Sequence, residues 1–152
     1  LNLYRNQFID IFNNCLLVWS EKSRLAANVL IEQNSNSKKN ENTIADLVSL
    51  AHGFSEALSR NAGEDFLVSS LSHSWNLKKS LASKIDSPEI NKIFNDSMRL
   101  GALSAKILGA GGGGFLLCCV PHEKQEHFMK NINKTVVKLN FEPTGSTIIF
   151  SD

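Results

Sequence analysis

Charge of one sign, paired cysteines and long apolar runs are all missing from this 152-residue sequence, and each absence removes a class of function. Sixteen lysines and arginines stand against fifteen aspartates and glutamates, a formal net charge of +1 with no basic stripe. A duplex-binding footprint needs such a stripe. Nucleic acid is therefore not an expected partner, although a local cationic pocket remains open. The three cysteines, Cys15, Cys118 and Cys119, suggest no disulfide framework. Cys118 and Cys119 are neighbours in what reads as a strand, so they point to opposite faces, a poor start for a metal site. All three read as structural filling. No apolar stretch reaches the roughly 20 residues that span a bilayer, and no signal peptide is visible. The expected setting is reducing and cytoplasmic, with no membrane partner. An initiator methionine is lacking too: the chain opens at Leu1, as a processed protein or a piece of a larger one would.

What is present is the composition of one globular domain, 42% hydrophobic and 20% charged. Its most informative segment is Gly109-Ala110-Gly111-Gly112-Gly113-Gly114. Alone, the run matches G-x-G-x-x-G, but a dinucleotide fingerprint needs a helix opening on the glycines, so that the pyrophosphate meets the helix N-terminus. Here Phe115-Leu116-Leu117-Cys118-Cys119-Val120 follows and reads as a strand, and no Gly-Lys-Ser/Thr completes a Walker loop. With Leu103 to Leu108 ahead of it, the run is a glycine loop held between two strands.

Elsewhere the chain reads mainly as helix. Cys15 to Trp19 suggests a short buried strand, and Ser20 to Ser23 a cap for a helix through Leu25, Ala26, Val29 and Leu30. The polar tract from Asn34 to Asn42 has nothing to bury and is expected to be a mobile loop. Thr43 and Asp46 form a rough capping pair for a helix whose apolar face is Ile44, Leu47, Val48, Ala51, Phe54 and Leu58. Asn61-Ala62-Gly63 punctuates. A longer helix then runs to about Asp86, with Phe66, Ser70, Ser74, Leu77, Leu81 and Ile85 on one face and Leu67, Leu71 and Trp75 beside it. Ser87-Pro88 starts another helix, carried by Ile90, Ile93, Phe94 and Met98 to Gly101. A helix from Pro121 places Phe128, Ile132, Val136 and Leu139 inward, and Ser146 to Phe150 reads as a last strand. Four strands mostly in the last third and five helices mostly before them argue for α+β, one sheet with helices packed on it.

Successive glycines free the backbone for positive φ, and their exposed amides can form a nest for anions. Lys106 alternates with Ala105 and Ile107, which turns it away from their side, toward the loop, where it adds a point charge. Two readings stand: a wall or lid of a phosphate site, or a tight hairpin packed under another segment with a solvent-facing lysine. Phosphoryl transfer also demands a holder for Mg²⁺ and a group that orients the acceptor. Asp10, Asp46, Asp65, Asp86 and Asp96 are too scattered to supply them. Arg24, near the start of a helix, reads as a contact to a sugar or phosphate oxygen or as a surface ion pair. His73 reads as a ligand contact or a solvated histidine, and Trp75 as core. His52, His122 and His127 form no metal motif with the cysteines, and no nucleophile elbow occurs.

The segment Gly101 to Leu117, including Lys106-Ile107-Leu108-Gly109-Ala110-Gly111-Gly112-Gly113-Gly114, closely resembles the third conserved motif of the GHMP kinases. It is most similar to the branch that phosphorylates D-glycero-D-manno-heptose 7-phosphate for lipopolysaccharide and capsule. Trp75-Asn76-Leu77-Lys78-Lys79-Ser80-Leu81, Pro88-Glu89-Ile90 and Phe141-Glu142-Pro143 extend the resemblance. Two departures bear on the heptose branch. Trp19-Ser20-Glu21-Lys22-Ser23-Arg24 keeps the arginine of an aromatic-Thr-Gly-x-x-Arg pattern but lacks Thr-Gly, and Ser72-His73 replaces a His-Glu pair before Trp75.

The resemblance implies a ferredoxin-like α+β unit over residues 1–152, the C-terminal domain of a two-domain kinase. No Pro-x-x-x-Gly-Leu-Gly-Ser-Ser-Ala run of the N-terminal domain occurs in the sequence. It further implies MgATP-dependent phosphorylation of a sugar phosphate by the intact enzyme. Lys106, Gly109, Ala110, Gly111, Gly112 and Gly113 would lie toward ATP, and Arg24 and His73 toward the sugar. The catalytic residues and Mg²⁺ ligands would lie in the missing N-terminal domain, its expected partner, leaving this chain inactive alone. The competing reading is a non-enzymatic small-molecule-sensing or protein-interaction domain that keeps the fold. A dinucleotide oxidoreductase would require a helix directly after Gly114.

Overall fold

Short alternating segments make the sheet of the computed structural model, which describes residues 5–23, 26–60, 63–142, 144–148 and 150. Strand β1 (Cys15–Trp19) buries Leu16 and Val18 completely on one face. Strands β2 (Ser104–Ile107) and β3 (Phe115–Cys119) pair antiparallel around the glycines, and β4 (Val136–Lys138) pairs with β1. The order is β2-β3-β1-β4, with every neighbour antiparallel. Helix α1 (Arg5–Asn13) precedes β1. Helices α2 (Ala26–Ser35), α3 (Glu41–Ser59), α4 (Glu64–Lys79) and α5 (Pro88–Arg99) fill the connection from β1 to β2, and α6 (His122–Asn131) joins β3 to β4. With the four-helix connection counted as one crossover, this is the β-α-β-β-α-β arrangement of ferredoxin-like domains, the expected α+β class.

Period-two alternation divides the packing. Leu16, Val18, Ala105, Ile107, Leu116 and Cys118 join Trp75, Ile85, Ile90, Ile93 and Phe128 in the larger core. Cys15 and Cys119 point the other way and pack with Leu67, Leu71 and Leu117. The adjacent cysteines thus serve two faces, as their spacing predicts. Trp75 is 2% exposed and its ring centroid lies 6.3 Å from that of Phe94, a core role. Burying a large apolar side chain in this way is worth roughly 1.5–3 kcal/mol.

Helix α5 follows its punctuation. The Ser87 hydroxyl accepts the Ile90 amide hydrogen bond at 3.3 Å, with Pro88 at the first helical position. At the other end Gly101 takes φ +105°. Its amide donates to Met98 O at 3.1 Å and the Ala102 amide to Ser97 O at 3.0 Å, the paired bonds of a Schellman cap.

Five expectations are corrected. The tract from Asn34 to Asn42 is the end of α2, a turn and the start of α3; buried Asn40 donates its side-chain amide to Leu81 O at 2.9 Å. Helix α3 consequently begins at Glu41, ahead of Thr43. Helix α4 stops at Lys79 rather than near Asp86. Ser80 Oγ bonds back to Leu77 O, Asn40 takes the Leu81 carbonyl, and Glu32 Oε1 accepts the Ser83 amide at 2.7 Å, so groups that would extend the helix are already engaged. Helix α6 stops at Asn131, whose side chain donates to His127 O at 2.7 Å, and Asn133 adopts φ +49°. Val136 therefore lies in β4. Ser146 to Phe150 reads as a last strand, but residues 146–148 and 150 form none, and Ile149 lies outside the described residues.

Candidate functional site

The loop between β2 and β3 is shaped by contacts from two distant turns. Gly109, Gly111, Gly112 and Gly114 all have positive φ. The Gly112 amide donates to Ile85 O at 3.0 Å and the Gly114 amide to Lys22 O at 2.9 Å, while Gly114 O accepts the Ser20 amide at 2.9 Å. A side chain at Gly111 would meet Ile85 Cγ2 at 2.8 Å, and one at Gly113 would meet Lys22 O at 2.8 Å. Glycine is needed there because other backbone comes too close. Two of the amides of the run are thus spent on the protein itself. A cleft of about 220 Å³ remains beside the loop, lined by Leu108 to Gly111, Gly113 and Gly114 on one side and by Trp19, Lys22, Ser23 and Ala26 on the other. The Trp19 and Phe115 rings, 4.8 Å apart, lie where β1 and β3 meet the loop.

Two lysines approach from α4's side. Lys106 is neither turned to the loop nor solvent-facing: it is half-buried and its ammonium donates to Ser74 Oγ on α4. Lys78, one turn further along the helix, reaches the loop instead, donating to Ile107 O at 3.2 Å and to Gly109 O. Burial lowers the pKa of Lys106. Burial first, and the charge of Lys106 second, bring Lys78 down to about 8. Among the described residues neither ammonium has a carboxylate partner. A partly desolvated cation at the glycine loop, Lys78, with a second behind it at Ser74, favours an anion nearby. Lys78 was missed as a site residue, although it shares the Leu67, Leu71 and Ser74 face of α4 and so had to point at the sheet.

Lys22 was missed as well, because its role lies mainly in its carbonyl. Its ammonium pairs with Glu89 at 2.9 Å in the first turn of α5. That hydrogen bond, with help from the backbone and Ser87, holds the exposed Glu89 carboxyl at about 2. Arg24 lies outside the described residues. His73 is exposed and lines a groove between α3 and α4 with Asp46, Ser49, Phe66 and Ser69, away from the glycine cleft. Burial pushes the Cys118 thiol up to about 12, an inert setting. No group of three or more His, Cys, Asp or Glu able to hold a metal occurs among the described residues. Mg²⁺ at a phosphate site is ordinarily held by one or two carboxylates, and none of the described residues lining the glycine cleft carries one, so that lining does not fit Mg²⁺ by itself. Nor is any described helix long and apolar enough to cross a membrane.

The strand that follows Gly114 excludes the dinucleotide arrangement, in which a helix opens on the glycines. The sheet order and the clamped glycine hairpin define instead a ferredoxin-like α+β domain carrying a glycine loop at one end of the sheet. Residues 49–138 match the family described as GHMP kinases C terminal, and the chain belongs to that family. Mevalonate kinase of Methanocaldococcus jannaschii is 36% identical over 55 residues, which cover 36% of this chain and 17% of that one. D-glycero-alpha-D-manno-heptose 7-phosphate kinase of Campylobacter jejuni is 34% identical over 68 residues, 45% of this chain and 20% of that one. The crystal structure of L. major mevalonate kinase in complex with R-mevalonate superposes with a TM-score of 0.68 at 16% identity, covering 82% of this chain and 40% of that one. At that identity the likeness is one of fold. The chain matches about two fifths of this solved relative and a smaller share of the two curated ones.

Proposed function

We propose that the chain is the C-terminal part of an ATP-dependent kinase whose acceptor is a heptose phosphate, and that its glycine loop forms one wall of the phosphate cleft. The observation that carries this reading is half-buried Lys78, which bonds the loop's carbonyls and has no carboxylate partner among the described residues, on a loop fixed by the Ile85 and Lys22 carbonyls. An anion at that loop would offset the charge. Phosphoryl transfer is carried out mainly by positioning and electrostatic stabilisation, so a fixed loop with a cation behind it is a useful contribution.

ATP supplies the phosphoryl group in this reading. The chain's own share is to hold the loop and present cationic and amide hydrogen-bond donors; Mg²⁺ and the acceptor's proton would be handled by residues of an N-terminal domain. His73 and Arg24 are carried as sugar-phosphate contacts; the likeness of the glycine segment to the heptose 7-phosphate branch and a 34% identical relative of that name support this acceptor, with mevalonate, the substrate named for a 36% identical relative, as its competitor. Residues 1–152 alone are expected to be inactive and to bind MgATP weakly or not at all.

A coupled ADP-release assay of the whole gene product against heptose 7-phosphate, galactose and mevalonate tests the substrate class. Turnover confined to the heptose phosphate is expected. Turnover of mevalonate alone would overturn the acceptor, and no turnover of any phosphoryl acceptor would favour a sensing or interaction domain.

A further inference from the structure

Packing holds most of the glycine loop, the Ala110 side chain against the larger core included, but leaves open space at Gly109. Gly111 and Gly113 are wedged against Ile85 and Lys22, and the Gly112 and Gly114 amides are bonded to the same two residues. Gly109 has φ +64° and no atom within 4 Å of the place a Cβ would occupy. Glycine with open space around it can turn its peptide either way. The Ile107–Leu108 peptide is held by the Leu108 amide, which donates to Phe115 O at 2.9 Å; at the Gly109–Ala110 peptide, among the described residues, the orienting hydrogen bond comes from Lys78, which donates to Gly109 O. An exposed lysine ordinarily leaves its ammonium in water. This one is half-buried near a second lysine, so the arrangement is maintained against its own electrostatics.

A trans peptide is planar, so its C=O and N–H point in opposite directions. No peptide bond among the described residues is cis. With Gly109 O drawn to Lys78, the Ala110 N–H of that peptide points away from Lys78. Gly109 and Ala110 line the cleft and Lys78 does not. We infer that Lys78 is a positioning residue: by holding the Gly109 carbonyl it turns the Ala110 amide toward the cleft, where a phosphate-class anion would accept its hydrogen bond. The anion in this inference rests on the kinase reading above, while the orientation of the peptide does not.

The test has a ligand-free arm and a kinetic arm, both on the whole gene product. Alanine-selective ¹⁵N labelling reports the Ala110 amide, assigned from the peak lost in Ala110→Ser. Without ligand, its chemical shift is expected to titrate with a midpoint near pH 8, where Lys78 loses its proton. Lys78→Met should abolish that titration. Lys78→Arg should keep the low-pH position without titrating, since arginine keeps its donors and its charge. A wild-type Ala110 shift that stays unchanged over the pH range in which Lys78 loses its proton would overturn the positioning role, even if Lys78→Met failed to fold. In the kinetic arm, Lys78→Met should raise the KM for MgATP about tenfold, the scale of one hydrogen bond to a charged group, with a smaller change in kcat and recovery in Lys78→Arg. A normal titration with unchanged KM would overturn the anion and leave the peptide orientation standing.

Discussion

The glycine loop and helix α3 use apolar surroundings in opposite ways. The loop has few side chains of its own, yet its conformation is fixed by Ile85 packed under Gly111 and by backbone bonds to Ile85 and Lys22. Helix α3 carries a regular apolar face, Ile44, Leu47, Val48, Ala51, Phe54 and Leu58, yet no described residue of it is buried, and Val48 is 52% exposed. Amphipathic spacing says which face of a helix is apolar; it does not say that anything covers that face. Close approach, by contrast, is recorded in a sequence by the residue that permits it. Rigidity in this domain therefore tracks contact with other segments of the chain rather than the local content of apolar side chains.

Substitutions can break that comparison in order of size. Gly111→Ala combines an unfavourable positive φ with a contact at 3.2 Å to the Ile85 backbone. It should cost about 3 kcal/mol, against about 1 kcal/mol for Gly109→Ala, where the φ penalty acts alone. Urea denaturation at unchanged m gives both numbers. Equal losses would mean that the wedge on Ile85 contributes nothing. Ser87→Ala removes the N-cap of α5 and should cost about 1 kcal/mol by the same measurement. Val48→Ser on α3 should stay within about 0.5 kcal/mol, and a loss as large as that at Gly111 would show that this face is covered.

Much of the fold was legible. Alternation located β1 and the β2–β3 hairpin, and Ser87-Pro88 marked the start of α5 because both residues act within one turn of the chain. Failures came where a distant partner decided the outcome. Helix α4 ends early because Asn40 and Glu32 take up groups near Leu81 and Ser83, and neither is visible from the local pattern. Strand β4 was assigned too late in the chain because Val136 also fits the spacing of α6; pairing with Val18 settles it. At the site, the glycines were legible as a loop between strands, but Ile85 and Lys22 were not legible as the residues that hold it. Lys106 was correctly turned away from Ala105 and Ile107, but its destination on α4 could not be read from alternation alone.

Strand β1 bears on the order in which such a chain can be assembled. It is central in the sheet, with Cys15 opposite Cys119 and Leu16 opposite Lys138. Both of its neighbours are synthesised long after it. During synthesis, Cys15 to Trp19 is an apolar strand without its native partners until β3 and then β4 appear. Contacts at such sequence separation slow folding and prolong exposure of sticky segments. The helical connection that follows β1, with Trp75, Ile85 and Ile90, would then be the first apolar surface available to shield it, giving that long insertion a role in biogenesis separate from anything it does in the finished domain.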